Sequence, residues 1–199
     1  MQRFECLEQL APLVTNQLVV TSLSGQRVEW GHLSQHEGNL LLGSMGNALS
    51  VGLGLALALP KRKVIVLESD GSLLLSLFNL PTVANMSPAN LTVFVFDNQA
   101  YSGTKISEPT ATAGKTDLAG MAKSAGIEHS LTVRDVEAFQ REAVAAINDV
   151  GLRFIVAKVA ESRGHRRLER TNVDLLENKY AFVRYLERTE AKAIFRGRG

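Results

Sequence analysis

"KVIVLESDGS", residues 63–72, changes character within ten positions. Its first seven residues are mostly apolar and rich in β-branched side chains. Asp-Gly-Ser then leads into "LLLSLFNLP" (73–81), which has no strand alternation. An unbroken apolar strand feeding a helix belongs in a parallel sheet covered on both faces. Comparable runs are "QLVVTSL" (17–23), "LTVFVFD" (91–97) and "RFIVAKVA" (153–160), with a weaker one at "HSLTV" (129–133). Helical segments lie at 45–59, 73–86, 117–125 and 135–149, the last framed by Asp135 as N-cap and Gly151 beyond its end. This alternation predicts a doubly wound α/β fold, a mostly parallel sheet with helices on both faces. An amphipathic helix, "FECLEQLAPLV" (4–14), precedes the sheet, and a second, in "TNVDLLENKYAFVRYLERTEAK" (171–192), follows it. The expectation is one domain over 1–199, with its core at about 17–160 and a C-terminal helix at about 171–195 packed on this domain or on a partner.

Composition narrows the possibilities. The chain has 199 residues, 45% hydrophobic and 21% charged, enough for one globular domain with a substantial core. Twenty-two basic residues against twenty acidic ones leave a net charge of +2. The basic clusters "RGHRRLER" (163–170) and "FRGRG" (195–199) lack an aromatic platform and read as solvated faces, so no nucleic-acid partner is expected. A single cysteine, Cys6, excludes an internal disulfide and fits a cytoplasmic location. The N-terminus has no basic-then-apolar signal pattern. The longest apolar stretch, "ALSVGLGLALALP" (48–60), is too short to span a bilayer, so no membrane is expected.

In open α/β sheets, ligands collect at the carboxyl ends of the strands. "ESDGS" closes the strand at 63–69, and "DNQAYSG" (97–103) closes the strand at 91–97. Asp70 and Asn98 are twenty-eight positions apart, room for one helix and one strand. A right-handed crossover therefore brings both to one edge of the sheet, on neighbouring strands. A carboxylate, an amide oxygen and nearby loop carbonyls make a hard oxygen set suited to Mg²⁺, which completes its octahedron with phosphate oxygens and water. Backbone N–H groups at Gly71 and Ser72 favour the phosphate. Alone, Asp-Gly-Ser is an ordinary turn; the pair at two strand ends points to a metal-diphosphate site.

The order Asp-Gly-Ser, a gap of under thirty residues, then a strand ending in Asp-Asn resembles the thiamine diphosphate-binding motif. Upstream, "LGSMGNALSVGLGLALALP" (42–60) is similar to the corresponding segment of phosphonopyruvate and sulfopyruvate decarboxylases, as are "NLTVFVFDNQAYSGT" (90–104) and "TDLAGMAKSAGI" (116–127). The resemblance covers roughly residues 38–160. It implies Mg²⁺ held by Asp70, the Asn98 side chain and the Ala100 carbonyl, with the diphosphate at Gly71 and Ser72. It places Gly43, Ser44 and Met45 against the cofactor. On this resemblance the Gly43 carbonyl would accept from the aminopyrimidine, and Met45 would press the molecule into a V. Gly43 and Gly46 allow close backbone approach, and Met45 is an adaptable wedge. Without the downstream motif, "GSMG" reads only as a tight turn around a core methionine.

The implied chemistry is decarboxylation of a small 2-oxo acid by the cofactor's thiazolium ring. Two features depart from the family pattern. Ser69 stands where the family has glycine, and serine is strained there if φ is positive. The activating glutamate belongs to a pyrimidine-binding domain; Glu37 and Glu68 do not lie in its context. The expected partner is therefore a pyrimidine-domain subunit, with a possible homodimer of the isolated chain. Acetolactate synthase-like carboligation and a non-catalytic cofactor-binding or assembly role remain alternatives. Tyr101 and Lys105 fall beside the metal loop, as neighbours of the cofactor, the substrate or the partner. His32 and His36 are read as loop or surface histidines, and His129 and His165 have no partner pattern.

Overall fold

The computed structural model describes residues 1–102, 107–161, 173–191 and 193–194. Six parallel strands form the sheet: β1 (Leu18–Thr21), β2 (Asn39–Leu41), β3 (Val64–Ser69), β4 (Leu91–Asp97), β7 (Ser130–Val133) and β8 (Arg153–Lys158). A small antiparallel hairpin, β5 (Ala100–Tyr101) with β6 (Glu108–Pro109), follows β4. The spatial order is β2-β1-β3-β4-β8-β7. The chain winds outward from β1 to β2, then returns across β1 to β3. That reversal opens a crevice at the carboxyl ends of β1 and β3, the place where such sheets bind ligands.

Every residue of β3 and β4 is buried, as their unbroken apolar runs predict. Val64, Val66, Val93 and Val95 face a core completed by α3 (Ala48–Ala58), α5 (Asn79–Met86), α6 (Leu118–Ser124) and α8 (Leu175–Glu190). Ile65, Leu67, Phe94 and Phe96 face the opposite core, built from α1 (Arg3–Leu10), α2 (Gly25–Leu33) and α7 (Val136–Asn148). Cys6 is a packing residue there, wholly buried, and burial pushes its thiol up to about 12.

The expected strands are present with trimmed ends, and α7 starts after Asp135, whose side chain accepts from Ala138 N–H. Three differences have physical causes. The helix expected at 73–86 is two: α4 (Asp70–Leu74), then a turn, then α5. The restart puts Pro81 in the first turn of α5, where its missing N–H costs no helical bond. The stretch around His32, read as loop, is α2, anchored by a buried Arg3–Glu29 pair and by Trp30 Nε1 donating to Asn39 Oδ1 at 2.9 Å. Helix α2 ends at Leu33, so His32 and His36 share no helix face; His36 stacks edge-on against Tyr185 of α8. Finally, β2 was not foreseen, being three residues long with its register supplied by β1.

Helix α8 closes the outer edge of β2. Asn178 donates to Asn39 O at 2.9 Å and accepts from Leu41 N–H at 2.8 Å. Arg62 fastens the other end of α8 through Glu190 and the Tyr185 hydroxyl. Among the described residues, no helix is long and apolar enough to cross a membrane.

Candidate active site

Asp70 opens α4 directly at the end of β3 and is almost completely buried. Its Oδ2 accepts the Thr110 hydroxyl at 2.7 Å and lies 3.2 Å from the Thr112 hydroxyl. Its Oδ1 faces the tip of the Asn98 side chain at 3.1 Å, and the same amide atom lies 2.9 Å from Ala100 O. Two amide orientations are open to Asn98. With nitrogen inward it donates to Asp70 and Ala100. With oxygen inward, the nitrogen donates to Ser102 Oγ at 3.1 Å and three oxygens converge. Mg²⁺ bonds of about 2.1 Å place adjacent octahedral ligands about 3.0 Å apart. The observed separations of 2.9 and 3.1 Å are those of two hydrogen bonds with nitrogen inward and equally fit two edges of that octahedron, and a cation bound there would require the oxygen-inward orientation. One carboxylate, one amide and one carbonyl form a set that fits Mg²⁺ better than zinc.

Gln99 shapes the loop that carries these atoms. Its φ of 63° lies in the left-handed region, a cost of roughly 1–2 kcal/mol for a residue with a Cβ. Three bonds hold it there: Gln99 N–H to Asp97 Oδ1 at 3.1 Å, Gln99 Nε2 to Thr112 O at 2.8 Å, and Thr110 N–H to Gln99 O at 3.0 Å. The turn aims Asn98 and Ala100 together at Asp70. Behind them, buried Asp97 accepts the Thr112 hydroxyl at 2.7 Å and pairs with Lys158 of β8. Burial raises the Asp70 carboxyl above its ordinary value, against hydrogen bonds from Thr110, Thr112 and Gly71 N–H; the charge of Asp97 adds to the rise.

Across the crevice, the turn after β2 carries Gly43, Ser44 and Met45. Leu23 N–H, just beyond β1, binds Ser44 O at 2.9 Å, and Arg27 of α2 reaches Leu42 O at 3.3 Å. Gly46 has φ +77°, a conformation that L side chains rarely adopt. Its N–H donates to Ser72 Oγ at 2.8 Å, which ties this turn to α4. Ser72 is buried: its hydroxyl accepts from Gly46 and its own N–H donates to the Ser69 hydroxyl, so neither group is turned outward for the phosphate role expected from the sequence. Gly43 is exposed and Met45 half-buried. Leu175 of α8 lies so close to Gly43 that a Cβ there would meet its Cδ1 at 2.8 Å. The Tyr101 ring lies over Gly71, 2.4 Å from where a Cβ would stand.

Thus Gly43, Ser44, Met45, Asp70, Gly71, Ser72, Asn98, Ala100 and Tyr101 gather at one edge of the sheet. Lys105, His165 and the basic clusters at 163–170 and 195–199 lie outside the described residues. Sequence reading missed the bracing of Asp70 by Thr110 and Thr112 from a distant loop, and of Thr112 in turn by Asp97 and Lys158 at the ends of β4 and β8. Glu68, weighed from the sequence only as an activating carboxylate, is fully buried, and its Oε2 has no hydrogen-bond partner. The nearby Ser22 and Ser72 hydroxyls still moderate its charge, though neither completes a well-angled bond to that oxygen.

Residues 25–157 match the family described as "Thiamine pyrophosphate enzyme, C-terminal TPP binding domain". The chain belongs to this family. Thiamine pyrophosphate and thiamine diphosphate are the same molecule. The chain is 32% identical to the sulfopyruvate decarboxylase subunit beta of Methanocaldococcus jannaschii, over 87% of this chain and 90% of the relative. The protein of the same name from Methanococcus maripaludis is 31% identical, over 94% and 98%. A phosphonopyruvate decarboxylase of Streptomyces viridochromogenes is 34% identical over 67% of this chain and 34% of its own length. Among solved structures, benzoylformate decarboxylase from Polynucleobacter necessarius matches with a TM-score of 0.66 at 17% identity. That match covers 83% of this chain and 34% of the other, and it shows the shared fold alone.

Within this TPP-binding domain, the serine that departs from the family pattern is unstrained. Ser69 has φ −115° and ψ 158°, ordinary extended backbone, and its hydroxyl accepts from Ser72 N–H at 3.3 Å as the N-cap of α4. The feature that favoured a non-catalytic module therefore has a plain structural role. Of the two glutamates weighed from the sequence, Glu37 pairs with Arg188 of α8 and Glu68 is fully buried.

Proposed function

We propose that this chain is the diphosphate-binding subunit of a two-component, thiamine diphosphate- and Mg²⁺-dependent decarboxylase acting on a small 2-oxo acid of the sulfopyruvate or phosphonopyruvate type. The observation that carries the reading is the near full-length similarity to chains named subunit beta of sulfopyruvate decarboxylase. The site geometry supports it. Asp70 Oδ1, Asn98 Oδ1 and Ala100 O would hold Mg²⁺, and the diphosphate would be held through that ion. Bound there, the cofactor supplies the electron sink for loss of CO₂. The chain's own residues set its shape and surroundings. The Gly43 carbonyl would orient the aminopyrimidine, and half-buried Met45 would fill the space beneath the bend. The Gly46–Ser72 bond would keep the two halves of the cradle at a fixed separation.

A pyrimidine-domain subunit would supply the activating glutamate and cover the mouth of the site. Apolar side chains stand exposed there: Leu23 beside the Met45 turn, Leu75 against Gly46, and Phe78, 75% exposed, one turn further on. The cytoplasm suits such an enzyme. The test is CO₂ release from sulfopyruvate and phosphonopyruvate at saturating cofactor and Mg²⁺, with and without a candidate partner. The expected result is turnover only in the complex; robust turnover by the lone chain would overturn the two-component reading. Calorimetry adds a second check: Asp70→Ala should abolish metal-dependent cofactor binding, and Asn98→Ala should weaken it. Undiminished affinity in the Asp70 variant would remove this site.

A further inference from the structure

Asp70 is held from both sides. On Oδ1 it meets the oxygen-bearing arm, Asn98 and Ala100. On Oδ2 it meets two threonine hydroxyls from beyond the β5–β6 hairpin, Thr110 at 2.7 Å and Thr112 at 3.2 Å. Both threonines are buried. The two hydroxyls are 2.8 Å apart, and Thr112 is anchored in turn by Asp97 at 2.7 Å, which Lys158 holds in place. The Thr112 hydroxyl has one proton, which the shorter contact gives to Asp97, so Thr110 is the donor to Asp70 Oδ2 with Thr112 packed behind it, and the other carboxylate oxygen is left for a cation.

We infer that Thr110, positioned by Thr112, is a specificity-determining residue: its hydroxyl holds Asp70 as a one-oxygen ligand and thereby favours Mg²⁺ over Ca²⁺. The inference rests on the proposed Mg²⁺ site. Mg²⁺ requires near-octahedral single-oxygen ligands, whereas Ca²⁺ takes six to eight oxygens and readily accepts both oxygens of a carboxylate. A carboxylate whose second oxygen is engaged by a hydroxyl cannot swing to offer both. Without that hydroxyl, the carboxylate turns freely about its last bond, losing aim for the small ion and gaining a second oxygen for the large one. A threonine that served only to hold the hairpin would affect both ions alike.

The test is calorimetric titration of the full chain with Mg²⁺ and, separately, Ca²⁺, each with thiamine diphosphate in excess, for wild type, Thr110→Val and Thr110→Ser. Thr110→Val should weaken apparent Mg²⁺ affinity by about tenfold, the worth of one hydrogen bond to a charged group. Ca²⁺ affinity should change by less than about threefold or improve, because the freed oxygen can join its larger ligand set. Thr110→Ser, which keeps the hydroxyl, should retain the wild-type preference. Equal losses for both ions would overturn the inference and leave the site standing. Absence of any divalent dependence in wild type would instead overturn the metal site itself. Should Thr110→Val fail to fold, Thr112→Val removes the hydroxyl that positions Thr110. It should lower the Mg²⁺ to Ca²⁺ preference in the same direction, and an unchanged preference there would equally defeat the inference.

Discussion

Glu68 occupies the interior of the sheet two residues before Asp70, with no exposed surface. Burial raises its carboxyl above the ordinary value of 4.5, against Ser22, Ser72 and the Ser69 N–H, which lower it. A pKa raised in the folded state has a definite sign. The protonated carboxyl is compatible with the fold at low pH, and that contribution is lost as pH rises through the raised value. Glu68→Gln removes the titration while keeping the shape. The variant should be more stable than wild type at pH 8 by roughly 1–3 kcal/mol, the cost of a poorly satisfied buried group, and the gain should shrink towards pH 5. Urea unfolding at the two pH values measures both. A difference independent of pH would show that the carboxyl is not the cause.

The starts and stops of the elements explain what could be read from the chain alone. The strands β3 and β4 were visible because a strand covered on both faces needs an unbroken apolar run, and their ends delivered Asp70 and Asn98 together. Helix α2 was invisible because "SGQRVEWGHL" carries two glycines and few apolar residues; tertiary contacts of Trp30 and Glu29 hold it. Thr110 and Thr112 were beyond reach for another reason. They lie forty and forty-two positions from Asp70, in a polar loop where threonine has no local signature. Ser69 was readable as a residue type, while its conformation was left conditional on φ, which depends on how α4 begins. As the N-cap, it makes a prediction about the element. Ser69→Ala should cost about 1 kcal/mol, and Ser69→Gly only a few tenths. Urea unfolding of the two variants decides; a glycine variant more stable than wild type would restore the idea of strain.

At the scale of the molecule, the two ends of the sheet are treated differently. Strand β7 ends one side, and on the other the amide of Asn178 meets two of the outward-facing groups of β2, Asn39 O and Leu41 N–H, while Asn39 N–H turns back to His36 O. An unpaired edge is a template for further strands. Asn178→Leu should therefore cause concentration-dependent self-association, visible in sedimentation velocity; a variant that stays in the wild-type state at every concentration would show that the bulk of α8 suffices. The arithmetic of edges has a wider consequence. Open-ended stacking through backbone pairing requires two free sides per copy, one to receive and one to offer. Among the described residues, a six-stranded sheet with one side plugged has one side left to offer, so joining of these sheets edge to edge ends at a twofold pair.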